Sequence, residues 1–181
     1  DGNRLFGNIN LNYAFNKKFS LSYQAGGDYR YEKIKSYGAK VTFDPNTPQS
    51  DGGANESVGG VTERSNEYVE FDTNLMLNFN SAVGENFNVN AFVGFNTNER
   101  KVNQLQAQIT NLDIPGFYEL SNSSVKPTVF QNDALRRNFG VFGSLEASFK
   151  NRLFLTLTGR NDWSSTLDVA SNSYFYPAAS L

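Results

Sequence analysis

Apolar and polar residues alternate along most of the chain, and this alternation limits the folds that the chain can adopt. Between residues 5 and 15 the odd positions carry Leu, Gly, Ile, Leu, Tyr and Phe, while mostly Asn fills the even positions. The same pattern recurs in five further segments, at residues 19–25, 69–79, 87–95, 139–149 and 153–159. A period of two is typical of a β-strand with one apolar and one polar face, and not of a helix. The sequence therefore predicts an all-β fold with three hairpins and a seventh strand from Tyr174 onward.

Short and long connections alternate between these strands. The short turns lie near 16–18, 81–86 and 150–152, and the long connections near 33–66 and 99–135. Such long connections are uncommon and are usually functional or disordered. All prolines fall in long connections or at a strand start, where a missing backbone donor does least harm; they are Pro45, Pro48, Pro115, Pro127 and Pro177. We therefore expect an antiparallel up-and-down meander of about 6 to 7 strands, with one plain end and one elaborate end.

The composition excludes several functional classes. The chain has 181 residues and a net charge of -2, and it contains neither Cys nor His. Disulfides, thiolate metal sites and the usual acid–base group of neutral pH are therefore missing, and we expect neither an enzyme nor a cofactor. The charge gives no basis for binding nucleic acid. Residues 1–4 lack the apolar core of a secretion signal, and the chain stops soon after the seventh strand begins, so we expect an excerpt of a longer protein.

The apolar face and the aromatic residues indicate the environment of the sheet. No segment approaches the roughly 18 consecutive apolar residues of a transmembrane helix. Aromatic residues flank the short turns, namely Phe15 with Phe19, Phe79 with Phe87, and Phe149. They resemble the aromatic girdle at a membrane interface. From Phe139 to Phe149 the strand is about 34 Å long, or about 25 Å high after tilting, which matches the apolar band of an outer-membrane barrel.

The pattern thus favours a segment of an antiparallel transmembrane β-barrel. A soluble β-sandwich or β-solenoid is the alternative, because it also alternates and has Gly and Pro in its loops. Long strands, unequal turns and flanking aromatics favour the barrel. Seven strands are fewer than the roughly eight of the smallest closed membrane barrel. The remaining strands must therefore lie outside this chain, because an open edge leaves backbone groups unpaired in lipid.

Two stretches near the end of the chain carry a family resemblance. Residues 159–167 read GRNDWSSTL, and residues 173–181 read SYFYPAASL. Together with IPGFYELSN at 114–122 and RNFGVFG at 137–143, they resemble the SusC/RagA-like group of TonB-dependent outer-membrane transporters. The resemblance covers essentially the whole chain and is densest after Thr110.

The resemblance implies that residues 1–181 are part of one barrel domain of about 22 strands, with the plug domain and the other strands outside this chain. It implies active import of oligosaccharides or peptides across the outer membrane of a Gram-negative bacterium, with energy from TonB. It also implies contact with outer-membrane lipids and a SusD-like surface lipoprotein as partner, in a dimer of transporter–lipoprotein pairs. A passive porin or structural barrel, and a soluble carbohydrate-binding β-domain, are the alternatives.

Arg160, Asp162 and Trp163 are candidate ligand contacts, because a charge pair beside an indole suits hydroxyl-rich or peptide ligands. In the alternative, Trp163 anchors the outer interface while Arg160 and Asp162 brace the barrel rim. Strand parity directs Arg160 and Asp162 toward the lumen and Trp163 toward the outer interface. Tyr118, within the IPGFYELSN motif, is a further candidate ligand contact.

A second group of candidates lies on the polar, lumen-facing parity, namely Tyr68, Glu70, Asp72, Phe92 and Phe142. Glu70 and Asp72 are about 7 Å apart, as in a glycosidase acid–base pair, but nothing nearby buries either carboxyl. We expect these carboxylates to be solvated or paired with arginines, in contact with plug or solute. Phe92, Phe142 and Phe154 interrupt the polar face. We expect them to pack against the plug, with stacking on a sugar or filling of the wall as alternatives.

The first long connection carries several oxygen side chains, namely Asp44, Asn46, Asp51 and Asn55. Hard oxygen ligands of this kind suit Ca²⁺. Their spacing matches no defined calcium loop, and the same residue types are the expected turn formers. We therefore predict no metal site.

Overall fold

The computed structural model describes residues 1–42 and 57–181, which form one antiparallel sheet of seven strands. The strands are β1 (Gly2–Ala14), β2 (Phe19–Val41), β3 (Ser57–Val83), β4 (Phe87–Thr110), β5 (Thr128–Phe149), β6 (Leu153–Ser164) and β7 (Ser173–Ser180). Each strand pairs with the next one in the chain, so β1 and β7 are the two edges. A short 3₁₀ helix at Val169–Ser171 precedes β7, and the described residues contain no helix long and apolar enough to cross a membrane. The predicted all-β meander is confirmed.

The strands are longer than the apolar alternation predicts. Strands β2 to β5 contain 23, 27, 24 and 22 residues, whereas about 9–11 residues suffice to cross a bilayer. The predicted extents of the long connections, 33–66 and 99–135, are therefore wrong. By the strand bounds, these connections span only 42–56 and 111–127.

The alternation fades at these strand ends because polar side chains occupy both faces. Asn103 and Gln104, for example, are consecutive and point to opposite faces. Neighbouring strands are joined there by side-chain hydrogen bonds. Arg64 Nη2 donates to Gln106 Oε1 at 2.6 Å, and Asn103 Nδ2 donates to Glu67 Oε2 at 2.7 Å. Such strands are stabilised by the backbone ladder and by cross-strand pairs, neither of which leaves a period-two pattern in the sequence.

The short turn between β5 and β6 fixes the register of that hairpin. Lys150 and Asn151 both have positive φ, of 52° and 53°, and Arg152 N donates to Phe149 O at 3.0 Å. Two central residues with positive φ match a type I′ turn, whose twist fits the twist of the paired strands. The ladder itself begins one residue after the turn, where Phe149 faces Leu153, and the later pairs of the hairpin continue in this register.

The described residues group into two compact units, and each of β1 to β5 contributes to both. The first unit contains Asp1–Arg4, Arg30–Tyr68 and Val102–Ala134. The second unit contains Leu5–Tyr29, Val69–Lys101 and Leu135–Leu181.

The first unit has a small apolar core. Val61 of β3, Ile109 of β4 and Leu112 of the following loop are buried. Tyr118 and Leu120, which lie further along the same loop, pack against them. The loop at 111–127 is therefore folded against the strands by apolar contacts, and Val61, Ile109 and Leu112 are the buried apolar side chains among the described residues.

One buried amide holds the conformation of this loop. Asn122 is only 4% exposed. Its Oδ1 accepts a hydrogen bond from Ile114 N at 2.9 Å, and its Nδ2 donates to Ile114 O at 2.8 Å and to Phe117 O. Gly116, with a φ of 79°, makes the reversal that these hydrogen bonds close. The last residue of the IPGFYELSN segment thus fixes the shape of the segment.

Two carboxylates hold Lys35 in the first unit. Lys35 Nζ lies 3.0 Å from Glu119 Oε1 and 3.1 Å from Glu63 Oε1. The hydrogen bonds with Glu119 and with Glu63 raise the pKa of Lys35 above its ordinary value. Because all three groups are accessible to water, this cluster adds little to stability and serves mainly to link the loop to β2 and β3.

The second unit has one apolar and one polar face. In the β5–β6 register Leu145 faces Leu157, and the adjacent pair, Ser144 and Thr158, lies on the opposite face. Leu145 and Leu157 are 41% and 42% exposed, since no second layer of described residues covers the apolar face. This arrangement differs from a β-sandwich, in which the apolar face packs on another sheet.

Aromatic pairs lie at the short-turn end of the second unit. The ring centroids of Phe19 and Phe79 are 4.9 Å apart, and those of Phe87 and Phe149 are 4.7 Å apart. Each pair joins two neighbouring strands, β2 with β3 and β4 with β5. Four of the aromatic residues that flank the short turns are thus side by side in the structure, and the fifth, Phe15, packs on Tyr13.

Candidate functional site

The polar face of the second unit forms a cavity of about 530 Å³. Small-ligand sites have volumes of roughly 300–1,000 Å³. The side chains that line it include three asparagine amides, Asn96 and Asn98 of β4 and Asn138 of β5, together with charged and aromatic residues of β5, β6 and β7. The cavity therefore combines neutral hydrogen-bonding groups, charges and rings within one unit.

Arg160 and Asp162 form a bidentate ion pair in this cavity. Arg160 Nε donates to the two carboxylate oxygens of Asp162 at 2.9 and 2.8 Å, and Arg160 Nη2 lies 2.7 Å from Oδ1. The two residues are two positions apart on β6, so the period of the strand places them on one face. Across from them on β5 is Gly140, where a Cβ would overlap Asp162 Oδ1. The absence of a side chain at Gly140 therefore makes room for the ion pair.

Phe142 supports the ion pair from β5. Its ring centroid lies 5.3 Å from Arg160 Cζ, in a cation–π arrangement, and 6.0 Å from the ring of Phe92. The Phe142 ring also covers Gly94, where an added Cβ would lie 2.5 Å from Phe142 Cζ. Phe154 lies on the same face. The structure thus places these phenylalanines on the polar face, as the parity predicts, and packing on a plug stays a prediction.

Trp163 lies with the apolar side chains of β5 and β6. Its ring stacks on Phe139 with centroids 4.8 Å apart and planes at 11°, and the two residues face each other in the register. Trp163 also contributes to the wall of the cavity. Next to it, Ser164 Oγ lies 2.7 Å from the side-chain amide of Asn138, which ties the end of β6 to β5. The predicted contacts Arg160, Asp162 and Trp163 are thus brought together.

Three further residues of the cavity, Arg136, Tyr174 and Tyr176, were not predicted from the sequence. In the β6–β7 register Tyr176 faces Arg160 and Tyr174 faces Asp162. The seventh strand was expected to begin at Tyr174, but its register against β6 depends on a connection whose length and shape the alternation does not report. Arg136 precedes Asn138 by two positions on β5, so strand parity was the signal that could have identified it.

The carboxylates of Glu70 and Asp72 are hydrogen-bonded by asparagines of the neighbouring strand. Asn98 Nδ2 donates to Glu70 Oε1 at 3.2 Å. Asn96 Nδ2 donates to Asp72 Oδ2 at 3.5 Å and to Asn74 Oδ1 at 2.9 Å. Among the described residues these donors are amides and not arginines, Glu70 is exposed, and contact of the two carboxylates with plug or solute stays a prediction. The arrangement is an amide ladder along a wall rather than an acid–base pair.

Tyr68 and Tyr118 belong to the first unit. The ring of Tyr68 lies 5.2 Å from Arg30 Cζ. The ring of Tyr118 stacks on Tyr37, with centroids 4.1 Å apart and planes at 21°. Both tyrosines therefore have structural partners; a ligand contact through Tyr118 and a position of Tyr68 facing the lumen or plug stay predictions.

Among residues 1–42 and 57–181, no group of three or more acidic side chains is placed to hold a metal ion. The oxygen side chains considered for calcium, Asp44, Asn46, Asp51 and Asn55, lie outside the described residues.

The chain is similar to known transporters and receptors. It is 25% identical over 180 residues to TonB-dependent receptor P26 of Formosa agariphila. The aligned region covers 97% of this chain and 17% of that protein. The RagAB peptide transporter has a TM-score of 0.78 at 18% identity, over 97% of this chain and 20% of the solved one. The RagAB peptide importer in its open-open state gives a TM-score of 0.77 with the same coverage and identity.

These similarities show what kind of segment the chain is. It spans about a fifth of the length of these relatives, and at 18% identity the likeness to RagAB shows the fold alone. That fold agrees with the SusC/RagA-like resemblance of the sequence motifs. A family model described as TonB dependent receptor-like, beta-barrel matches residues 1–181, and the chain therefore belongs to this family.

Proposed function

We propose that this chain forms part of the barrel wall of an active transporter that imports oligosaccharides or peptides across the outer membrane of a Gram-negative bacterium. Membership of the TonB-dependent receptor-like β-barrel family supports this function and location. The observation that carries the proposal is the contrast between the two faces of the second unit. One face is apolar, uncovered and bordered by aromatic pairs, and the other is polar and holds a cavity of ligand size.

The apolar face suits lipid better than water. Leu77, Leu145 and Leu157 are 39%, 41% and 42% exposed, and similar side chains continue along the same face. Apolar surface left in water costs about 25 cal/mol per Å², and soluble proteins rarely expose contiguous apolar patches larger than a few hundred Å². Lipid removes this cost. The exposed face therefore argues against a soluble carbohydrate-binding β-domain.

The polar face suits an aqueous lumen. The amides that bind Glu70 and Asp72 use their N–H groups within the wall, so their C=O groups are the ones that a hydroxyl-rich or peptide solute can reach. Charged and amide side chains of this kind are common on the lumen side of an outer-membrane barrel. We assign Glu70 and Asp72 to contact with plug or solute and not to catalysis, and Phe92 and Phe142 to packing against the plug.

The proposed partners lie outside the chain. Energy reaches the transporter from TonB through an N-terminal segment, and a SusD-like surface lipoprotein covers the extracellular mouth, in a dimer of such pairs. The sequence motifs GRNDWSSTL and IPGFYELSN support this assembly through their resemblance to SusC/RagA-like proteins. One fold neighbour is described as a peptide transporter, which supports an organic solute over a metal chelate.

Uptake by the full-length protein in its native host tests the proposal. We expect uptake of the oligosaccharide or peptide solute to be lost when the gene is deleted, and to be lost equally when TonB is deleted. Complementation with the intact gene restores it. Uptake that persists without TonB indicates a passive porin, and uptake that persists without the gene contradicts a transport function.

A further inference from the structure

The cavity on the polar face has one positive charge that no carboxylate of the described residues neutralises. Its charged lining residues are Arg136, Arg160 and Asp162. Both Asp162 oxygens already accept hydrogen bonds from Arg160 Nε, so this pair is neutral as a whole. Within residues 1–42 and 57–181, Arg136 forms no ion pair, and the hydrogen bond of its Nε goes to the neutral side-chain amide of Asn138. The excess charge of the cavity is therefore located on Arg136.

The neighbouring Arg137 shows how an arginine of the same strand is neutralised. Arg137 Nε lies 2.7 Å from Glu99 Oε2 of β4. Because consecutive strand residues point to opposite faces, this ion pair is on the other face from Arg136. Arg136 is thus exposed within a cavity of about 530 Å³, while Arg137 is paired with Glu99 on the other face of the sheet.

Two tyrosines complete the cavity. Tyr174 and Tyr176 of β7 face Asp162 and Arg160 in the register and line the same cavity. They are 47% and 56% exposed, so their rings are available for contact. A tyrosine ring offers an apolar surface and a hydroxyl group, which suits both a peptide side chain and the ring of a sugar.

We propose that this cavity binds a carboxylate group of the imported solute, with Arg136 as its anchor. A guanidinium presents N–H donors in a planar fork that matches a carboxylate, and such charge-assisted hydrogen bonds are about twice as strong as neutral ones. The carboxylate comes from a peptide or from a uronic acid in an oligosaccharide. The inference rests on the proposed import function and narrows its substrates to acidic solutes.

Binding to the purified full-length transporter, measured by calorimetry, tests the inference with two pairs of probes. One pair is tri-alanine with a free C-terminal carboxylate and its C-terminal amide. The other is a disaccharide that contains glucuronic acid and the same disaccharide with glucose in that place. We expect the acidic member of one pair to bind on the order of tenfold more tightly than the neutral member. Preference within the first pair identifies peptides, and preference within the second identifies acidic sugars.

A pair of arginine variants assigns the preference to one residue. Arg136→Gln keeps the length and polarity of the side chain but removes its charge, and we expect the preference to fall below about threefold. Arg137→Gln removes the next charge along the strand, on the other face, and is expected to leave the preference unchanged. An undiminished preference in Arg136→Gln overturns the inference. So does the lack of an acidic preference in the unmodified protein, including a lack of binding.

The proposed function and this inference fail in different ways. If neutral probes are taken up in a TonB-dependent manner and acidic probes have no advantage, the inference is overturned and transport stands. If no solute depends on TonB for uptake, the proposed function itself is contradicted.

Discussion

At the scale of single residues, two glycines determine how closely side chains pack on the polar face. The ring of Phe142 covers Gly94, and the Asp162 carboxylate lies over Gly140. A Cβ at Gly94 would collide with the ring that supports Arg160, and a Cβ at Gly140 would collide with Asp162, which lines the cavity. Gly7 of β1 is different, because nothing among the described residues lies within 4 Å of the position that its Cβ would take. Glycine is therefore a packing requirement at the first two positions and not at the third.

We predict that Gly94→Ala lowers the free energy of unfolding by about 1–3 kcal/mol, the usual cost of overpacking. The new methyl group displaces the Phe142 ring, and with it the support of Arg160. The midpoint of urea unfolding of the full-length protein in detergent micelles measures this change. Gly7→Ala is the matched control and is expected to change the midpoint little.

A double-mutant comparison tests whether the stability cost of Gly94→Ala comes from the contact with Phe142. In a Phe142→Ala background the collision is absent, so Gly94→Ala is expected to cost at least about 0.5 kcal/mol less than it does in the unmodified protein. An equal cost in both backgrounds contradicts the role of Phe142.

At the scale of elements, the alternation of apolar and polar residues predicts the strands but not their full lengths. The strands and the faces of β5 and β6 follow from period two, and the strand order follows from the alternation of short and long connections. The outer ends of β2 to β5 carry polar groups on both faces, as at Asn103 and Gln104. The backbone ladder that continues there has no signature in side-chain polarity.

Only some residues of the candidate site were predicted, because the pattern of side chains along a strand does not report how neighbouring strands are aligned. Arg160 and Asp162 are close in sequence, so spacing along one strand predicts their common face. Tyr174 and Tyr176 reach the same cavity only through the β6–β7 register, which the connection before β7 sets. Arg136 lies on another strand, and the lack of a carboxylate partner for it among the described residues becomes visible only when the partners of Arg160 are known. Contacts within a strand are readable from the sequence, and contacts between strands need the register.

The loop at 111–127 gives the prediction for this scale. We expect Asn122→Asp to loosen the loop, because the carboxylate still accepts from Ile114 N but no longer donates to Ile114 O and Phe117 O. Amide hydrogen exchange in residues 111–127 is expected to speed up on the order of tenfold, as for the loss of one to two kcal/mol of local stability.

A matched control separates this buried amide from ordinary polar contacts of the loop. Ser124→Ala removes one exposed hydrogen bond, from Ser124 Oγ to Asp113 Oδ2, and is expected to leave the exchange nearly unchanged. If amide exchange in residues 111–127 is as slow in Asn122→Asp as in the unmodified protein, the loop is held by its apolar contacts alone.

At the scale of the whole molecule, the central claim is that the two faces of the second unit meet two different solvents. The odd-numbered residues of β6, Leu155 and Leu157, belong to the apolar face, and the even-numbered Thr156 and Thr158 belong to the polar face. Family membership, the exposed leucines and the aromatic pairs all agree with lipid on the first face. The cavity and the amide ladder agree with a lumen on the second.

Spin-label accessibility along β6 tests this claim most directly. The chain has no cysteine, so a cysteine introduced at residue 155, 156, 157 or 158 is the only one in this segment. Oxygen dissolves in lipid. In full-length protein in lipid vesicles we therefore expect labels at residues 155 and 157 to be highly accessible to oxygen, and labels at residues 156 and 158 to be poorly accessible to it. The assignment of the two faces to lipid and water is contradicted if labels at residues 155 and 157 are reached mainly by a water-soluble nickel chelate. It is also contradicted if the accessibilities do not alternate along the strand.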